Sequence, residues 1–230
     1  MVLVIAHRGF SGKYPENTML AFRKAIEIGA GGIELDVHAT SDGHIVVMHD
    51  GDVRRTTNGS GLISKMTLGE FQKLDAGQGE HPPLLEDVIV LCKEHGTFLN
   101  IEIKALGIQE RVARLVMKHD YVGNVLISSF MHPQLPKFKT YEPNFKIAAL
   151  IPDVAAKMIM KIISKLIPVD AINPHYKSIS NDFMAAARAR KYSIYAWTVD
   201  DVGEFKKLAS MGVAGVITNR PDLMIGAEIG

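Results

Sequence analysis

The sequence predicts a (β/α)8 barrel, the TIM-barrel architecture, in one domain spanning residues 1–230. Eight short, apolar, β-branched runs alternate with amphipathic segments of helical length, the pattern of repeated βα units with parallel strands. A chain of 230 residues also buries a sizeable core and has the usual span of a single α/β barrel. An open doubly wound sheet is the alternative architecture that the same alternation would suit.

Val2–Ala6 reads as the first strand and stops at His7; Thr18–Ile28 follows as a helix, and Gly32–Val37 is the second strand. Glu16 and Asn17 read as capping and bracing residues where that helix opens. Only Asp42-Gly43 separates the extension of the second strand from a further apolar run, His44–Met48. A parallel neighbour needs a long crossover, whereas Asp-Gly between extended runs signals a two-residue hairpin. His44–Met48 is therefore expected to return antiparallel. With Ser41 facing His44, counting outward sets His49 opposite Asp36, on a shared face. Residues 51–83 are polar and rich in Gly, match no barrel strand, and are expected to form a small helical insertion. Arg54, Arg55, Lys65 and Lys73 within it are cations that could meet substrate, although most read as solvated.

Beyond that segment the alternation is regular. Helices are predicted at Leu84–His95, Gln109–His119, Pro133–Tyr141, Val154–Ile167, Asn181–Arg190 and Asp201–Met211. They interleave with strands at Phe98–Ile103, Val125–Ser128, Lys146–Ile151, Ala171–Asn173, Ser193–Val199 and Gly215–Thr218. The longest apolar stretch, Ile147 to Val169, is interrupted by Pro152, Asp153, Lys157, Lys161 and Lys165 and does not span a bilayer. The three lysines recur every four residues on one helical stripe, with Met158, Ile159, Ile162, Ile163 and Leu166 expected on the opposite side against the barrel. Docking of the basic stripe on a membrane surface is the second reading of this helix.

Composition narrows the partners. With 47% hydrophobic and 22% charged residues, the chain has the make-up of a folded globular protein. A formal charge of +1 excludes a general affinity for nucleic acid, so anion binding has to come from local charges. The single cysteine, Cys92, lies in a run of helical period and is expected to be a buried thiol. No basic region followed by a signal-length apolar segment opens the chain, and a cytoplasmic location is expected. A small-molecule substrate is the expected partner, without nucleic acid or stable membrane insertion; a homo-oligomer is left open.

The candidate chemistry lies where apolar strands carry ionisable residues. Glu34 and Asp36 are two apart on one strand and share a face; Glu102 and Lys104 repeat the arrangement on the next barrel strand. Three carboxylates and an ammonium would then converge inside the barrel near the C-terminal ends of its strands, where barrel active sites lie. Oxygen ligands without thiolates suit Mg²⁺ or Ca²⁺. The competing reading is a salt-bridged cluster around Lys104 and Arg8, although buried ion pairs are weak sources of stability. His7, at a strand end, and His49, carried back by the hairpin, are the histidines placed for acid and base work near neutral pH.

The order of short motifs adds a resemblance. His7-Arg8-Gly9, Pro15-Glu16-Asn17-Thr18, Glu34-Leu35-Asp36, His49-Asp50 and Glu102-Ile103-Lys104 occur in the order found in the glycerophosphodiester phosphodiesterase family. The match continues through Ser128-Ser129-Phe130, Ala196-Trp197-Thr198-Val199 and Gly215-Val216-Ile217-Thr218-Asn219-Arg220-Pro221. The resemblance implies a barrel with an insertion, residues 51–83, over its mouth. It implies metal-dependent hydrolysis of glycerophosphodiesters to sn-glycerol 3-phosphate and an alcohol, with Glu34, Asp36 and Glu102 as metal ligands. His7 and His49 would be the catalytic pair, Arg8 and Lys104 would bind the phosphate, and Trp197 would wall the glycerol pocket. Water or the neighbouring glycerol hydroxyl would be the nucleophile, the latter by way of a cyclic phosphate. One departure is Asn219, where an Asp commonly stands in the family. The rival functions are a lysophospholipase D acting on longer lipids, which would need an apolar track on the insertion, and a phosphodiester-binding protein without turnover.

Overall fold

In the computed structural model, which describes residues 2–227, the eight apolar runs pair side by side and close on themselves. The parallel strands are β1 (Leu3–His7), β2 (Gly32–Ala39), β4 (Phe98–Ile103), β5 (Val125–Ser129), β6 (Lys146–Ile151), β7 (Ala171–Pro174), β8 (Ser193–Ala196) and β9 (Gly215–Thr218). β1 pairs with both β2 and β9, which completes the barrel; β3 (Ile45–Val47) pairs antiparallel with Val37–Ala39 of β2, past the residues of β2 that pair with β1.

Strand parity separates the two faces. Ile33, Leu35 and Val37 on β2 and Leu99, Ile101 and Ile103 on β4 are buried in the core shared with the surrounding helices. The alternate residues face the barrel interior, whose character changes along its axis. Its floor is apolar: Phe98, Leu126, Ala148, Ala171 and Tyr195 cluster there, with the Phe98 and Tyr195 rings stacked at 5.9 Å. Two residues further along the same strands stand Asn100, Ser128 and Asn173, all buried. Charge enters next, with Glu102 two residues beyond Asn100.

The helices α1 (Met19–Glu27), α3 (Leu85–His95), α4 (Gln109–Lys118), α5 (Pro136–Tyr141), α6 (Ala156–Leu166), α7 (Asn181–Ala189) and α8 (Val202–Ser210) fill the predicted intervals. The one-turn helices α2 (Leu68–Phe71) and α9 (Pro221–Met224) were not expected as such. Val53, Ile63, Phe71 and Leu74 from the 51–83 segment form a small core of their own with Val46 and Met48. Cys92 is buried, and burial pushes its thiol up to about 12, an inert state. Among the described residues no helix is long and apolar enough to cross a membrane.

Five expectations are corrected. The hairpin register is one residue off: Val37, His38 and Ala39 face Val47, Val46 and Ile45, so Met48, not His49, meets Asp36, its N–H donating to the Asp36 carbonyl. The turn holds three residues, because Thr40 and His44 close it and Gly43 takes φ 91°, the conformation of a three-residue hairpin loop. Thr18, not Glu16 or Asn17, caps α1 by accepting from the Ala21 N–H. β8 ends at Ala196, and Trp197 makes an isolated bridge to His175. On α6, Met158, Ile162 and Leu166 are 59%, 48% and 73% exposed. Each follows a lysine directly and so lies about 100° round the helix from it, not opposite it; the barrel covers only the arc of Ala156, Met160 and Ile163.

Candidate active site

The site begins with the turn after β1. Arg8 and Gly9 both adopt left-handed backbone, at φ 55° and 79°. A Cβ on Gly9 would stand 2.7 Å from the Ala21 carbonyl carbon, so glycine is required by conformation and by the close approach of α1. The reversal turns the Arg8 N–H onto Glu34 Oε2 at 3.1 Å and the Arg8 side chain over Asp36.

Glu34, Asp36 and Glu102 are buried together, each offering a carboxylate oxygen within 4.8 Å of the others. Asn17 Nδ2 donates to Asp36 Oδ2 at 3.0 Å. Arg8 Nε lies 3.3 Å from the same oxygen, and Lys104 Nζ lies 3.1 Å from Asp36 Oδ1 and 2.5 Å from Glu102 Oε1. The two contacts to Asp36 are ion pairs without hydrogen-bond geometry, which leaves Asp36 Oδ1 buried and unsatisfied.

Two cations do not balance three buried carboxylates. Burial would raise the Asp36 carboxyl, but Lys104 and Arg8 outweigh it and hold the group below the usual carboxylate range. Burial and the Asp36 charge push Glu102 up to about 7. Burial, with Asp36 and Glu102 nearby, pushes Glu34 well up too. A compact, all-oxygen, electron-rich donor set with an orphaned carboxylate oxygen fits a hard divalent cation.

Both histidines are anchored through Nδ1. His7 Nδ1 lies 2.7 Å from Asn219 Oδ1, while its Nε2 lies 3.8 Å from Glu34 Oε2. Burial, then the Arg8 charge, pushes the His7 ring down to about 4, so it is neutral near neutral pH. His49 Nδ1 lies 2.6 Å from Asp50 Oδ1. Asp50 in turn accepts from Arg55 Nε at 2.5 Å, and the same guanidinium donates twice to Glu16, at 2.7 and 3.0 Å. Glu16 also accepts from Arg8 at 2.9 Å. A continuous chain of charged contacts thus joins His49 to Arg8.

One cavity of about 130 Å³ is lined by His7, Arg8, Glu34, His49, Glu102, Lys104 and Trp197, with Asp36 fully buried among the other carboxylates. All eight predicted site residues are therefore gathered at the C-terminal mouth of the barrel. Although the hairpin register slips, His49 lies beyond the last paired residue of β3, and the chain there turns back to the cavity. Trp197 Nε1 donates to the Asn173 carbonyl at 2.8 Å, and Phe130 meets its ring edge to face at 5.7 Å. Phe130 also lines the cavity, with Asn100 and Ser128; Asn100 Oδ1 and Ser128 Oγ have no hydrogen-bond partner. Sequence reasoning did not give Asp50, Phe130 or the contact of Asn219 with His7 a place in the site, and it read Arg55 chiefly as a solvated cation. Their only signal was membership in, or nearness to, the short motifs.

The model of the glycerophosphoryl diester phosphodiesterase family matches residues 7–223. A glycerophosphodiester phosphodiesterase of Caldanaerobacter subterraneus subsp. tengcongensis is 37% identical over 97% of this chain and 96% of its own length. One from Bacillus altitudinis is 36% identical over 96% of both. The solved structure of an Oleispira antarctica phosphodiesterase, in complex with the product sn-glycerol 3-phosphate, superposes with a TM-score of 0.86 at 29% identity, covering 97% of this chain and 95% of that one.

Proposed function

The chain belongs to the glycerophosphoryl diester phosphodiesterase family, and on that premise we propose that it cleaves glycerophosphodiesters, glycerophosphocholine and glycerophosphoethanolamine among them, to sn-glycerol 3-phosphate and the free alcohol. The observation that carries this proposal is one small cavity uniting two histidines, two cations and three buried carboxylates. Residues 1–230 act as one barrel domain, with 51–83 as a small insertion over the barrel mouth.

Glu34, Asp36 and Glu102 would hold Mg²⁺ or Ca²⁺, and the bound ion would supply Lewis-acid polarisation of the phosphate and offset the crowded carboxylates. Arg8 and Lys104 take the developing charge on the remaining non-bridging oxygens. With both Nδ1 atoms engaged, His7 and His49 work through Nε2: one accepts the proton of the attacking hydroxyl, the other returns a proton to the leaving alkoxide. The attacking hydroxyl belongs to water or to the glycerol beside the phosphate. Trp197 and Phe130 cover the glycerol carbons.

The cavity volume of about 130 Å³ favours a glycerol phosphate head over an acyl chain, and with it the hydrolase over a lysophospholipase D. Binding alone would not need two anchored imidazoles, which favours turnover over a passive binder. In His7→Ala and in His49→Ala, release of sn-glycerol 3-phosphate from glycerophosphocholine is expected to fall by at least about 10²-fold. Near-normal turnover in either variant would refute the assigned acid and base.

A further inference from the structure

We infer that Asn219 is a positioning residue: its side-chain amide, braced by Asp200, fixes His7 in the Nδ1–H tautomer and turns a bare Nε2 toward the cavity. The effect on rate rests on the hydrolase reading above; the tautomer does not.

Asp200 sets the orientation. Its Oδ1 accepts from Thr218 Oγ1 at 3.0 Å and from the Asn219 backbone N–H at 2.8 Å. Its Oδ2 accepts from Asn219 Nδ2 at 2.8 Å. An ionised carboxylate only accepts, so the nitrogen end of the amide has to face Asp200 and the oxygen end has to face His7.

That oxygen is also an acceptor only. His7 Nδ1, at 2.7 Å from it, must therefore carry the hydrogen. Ser11 Oγ lies 2.7 Å from the His7 carbonyl and 2.9 Å from Asn219 Oδ1; its single hydrogen is shared between these two acceptors, so it leaves the assignment of the His7 hydrogen unchanged. A neutral imidazole has a single N–H, so Nε2 keeps its lone pair, 3.8 Å from Glu34 Oε2. The contact reaches across 212 positions of sequence and joins the turn after β9 to the end of β1. It also accounts for asparagine here, since an aspartate at 219 would set two carboxylates against each other at the 2.8 Å contact with Asp200.

Long-range ¹H–¹⁵N correlation spectra of the histidine rings test this directly, with the His7 signals assigned by their loss in His7→Ala. The full-length protein is expected to show a protonated Nδ1 and an unprotonated Nε2 on His7 at neutral pH. Asn219→Leu is expected to lose that preference and to lower kcat by at least about tenfold, with KM within about twofold. Asp200→Asn, which keeps Asn219 but frees its amide to turn, is expected to weaken the same preference. It carries the test should Asn219→Leu fail to fold. A wild-type His7 with the hydrogen on Nε2, or both variants retaining the wild-type tautomer and kcat, would overturn the assignment. An inactive wild type with the expected tautomer would uphold it and count against the hydrolase reading alone.

Discussion

His7 leans on a neutral amide and His49 on the Asp50 carboxylate, so the two imidazoles differ in electrostatic support although both are held by Nδ1. Arg55 has no obvious place in a site, yet it joins Asp50 to Glu16, and through them His49 to Arg8. Arg55→Ala should loosen both ends of that chain and lower kcat/KM for glycerophosphocholine by about tenfold or more. Arg55→Lys, without the planar fork, should recover only part of the loss. Steady-state kinetics on folded variants checks this, and full activity in Arg55→Ala would remove Arg55 from the account. Residues that carry charge into the cavity were legible, because His7-Arg8-Gly9, Glu34-Leu35-Asp36 and Glu102-Ile103-Lys104 are local patterns. Their braces were not, because Arg55 meets Glu16 from 39 positions away and Asn219 meets His7 from 212, and side-chain pairing at that separation leaves no periodic trace.

Element boundaries followed from alternating apolar runs, whereas pairing geometry and helix faces depended on contacts those runs do not encode. The Asp42-Gly43 signal correctly implied an antiparallel return, but Thr40 and His44 close a three-residue loop, and a slip of one residue reverses which side chains share a face. In α6 the apolar sector is wider than the barrel covers. Ile163→Ala should destabilise by about 2–5 kcal/mol, as for a core residue, while Ile162→Ala, next in sequence but 48% exposed, should change stability by less than about 1 kcal/mol. Urea unfolding midpoints of the two variants distinguish them, and equal losses would mean that α6 is packed differently.

The barrel as a whole separates stability from chemistry along its axis, with charges at the N-terminal strand ends tying elements together and charges at the C-terminal ends forming the cavity. Asp170, just before β7, pairs with Lys139 at 2.9 Å and accepts from the Ile147 N–H at 3.0 Å. Burial would raise its carboxyl, but the Lys139 hydrogen bond and the Ile147 N–H outweigh it and hold the group below its ordinary 3.8. A lowered folded-state value stabilises the protein fully above the unfolded value and loses that stabilisation as pH falls through the folded one. Asp170→Asn should therefore lower stability by about 1–2 kcal/mol near neutral pH and leave turnover unchanged. The gap to wild type should narrow as pH falls below the ordinary carboxylate value and on through the lowered folded one; a gap that stays constant across the whole acid range would assign the effect to something other than the carboxylate charge. At the opposite end, the three buried carboxylates and two histidines make a single claim, that this cavity cleaves glycerophosphodiesters with a divalent cation. The most direct measurement is release of sn-glycerol 3-phosphate from glycerophosphocholine and glycerophosphoethanolamine by the wild-type protein, after EDTA and again with Mg²⁺ or Ca²⁺ restored. Release that EDTA abolishes and one of the two ions returns is the expected result; no release with either ion, or release that EDTA leaves untouched, would contradict it.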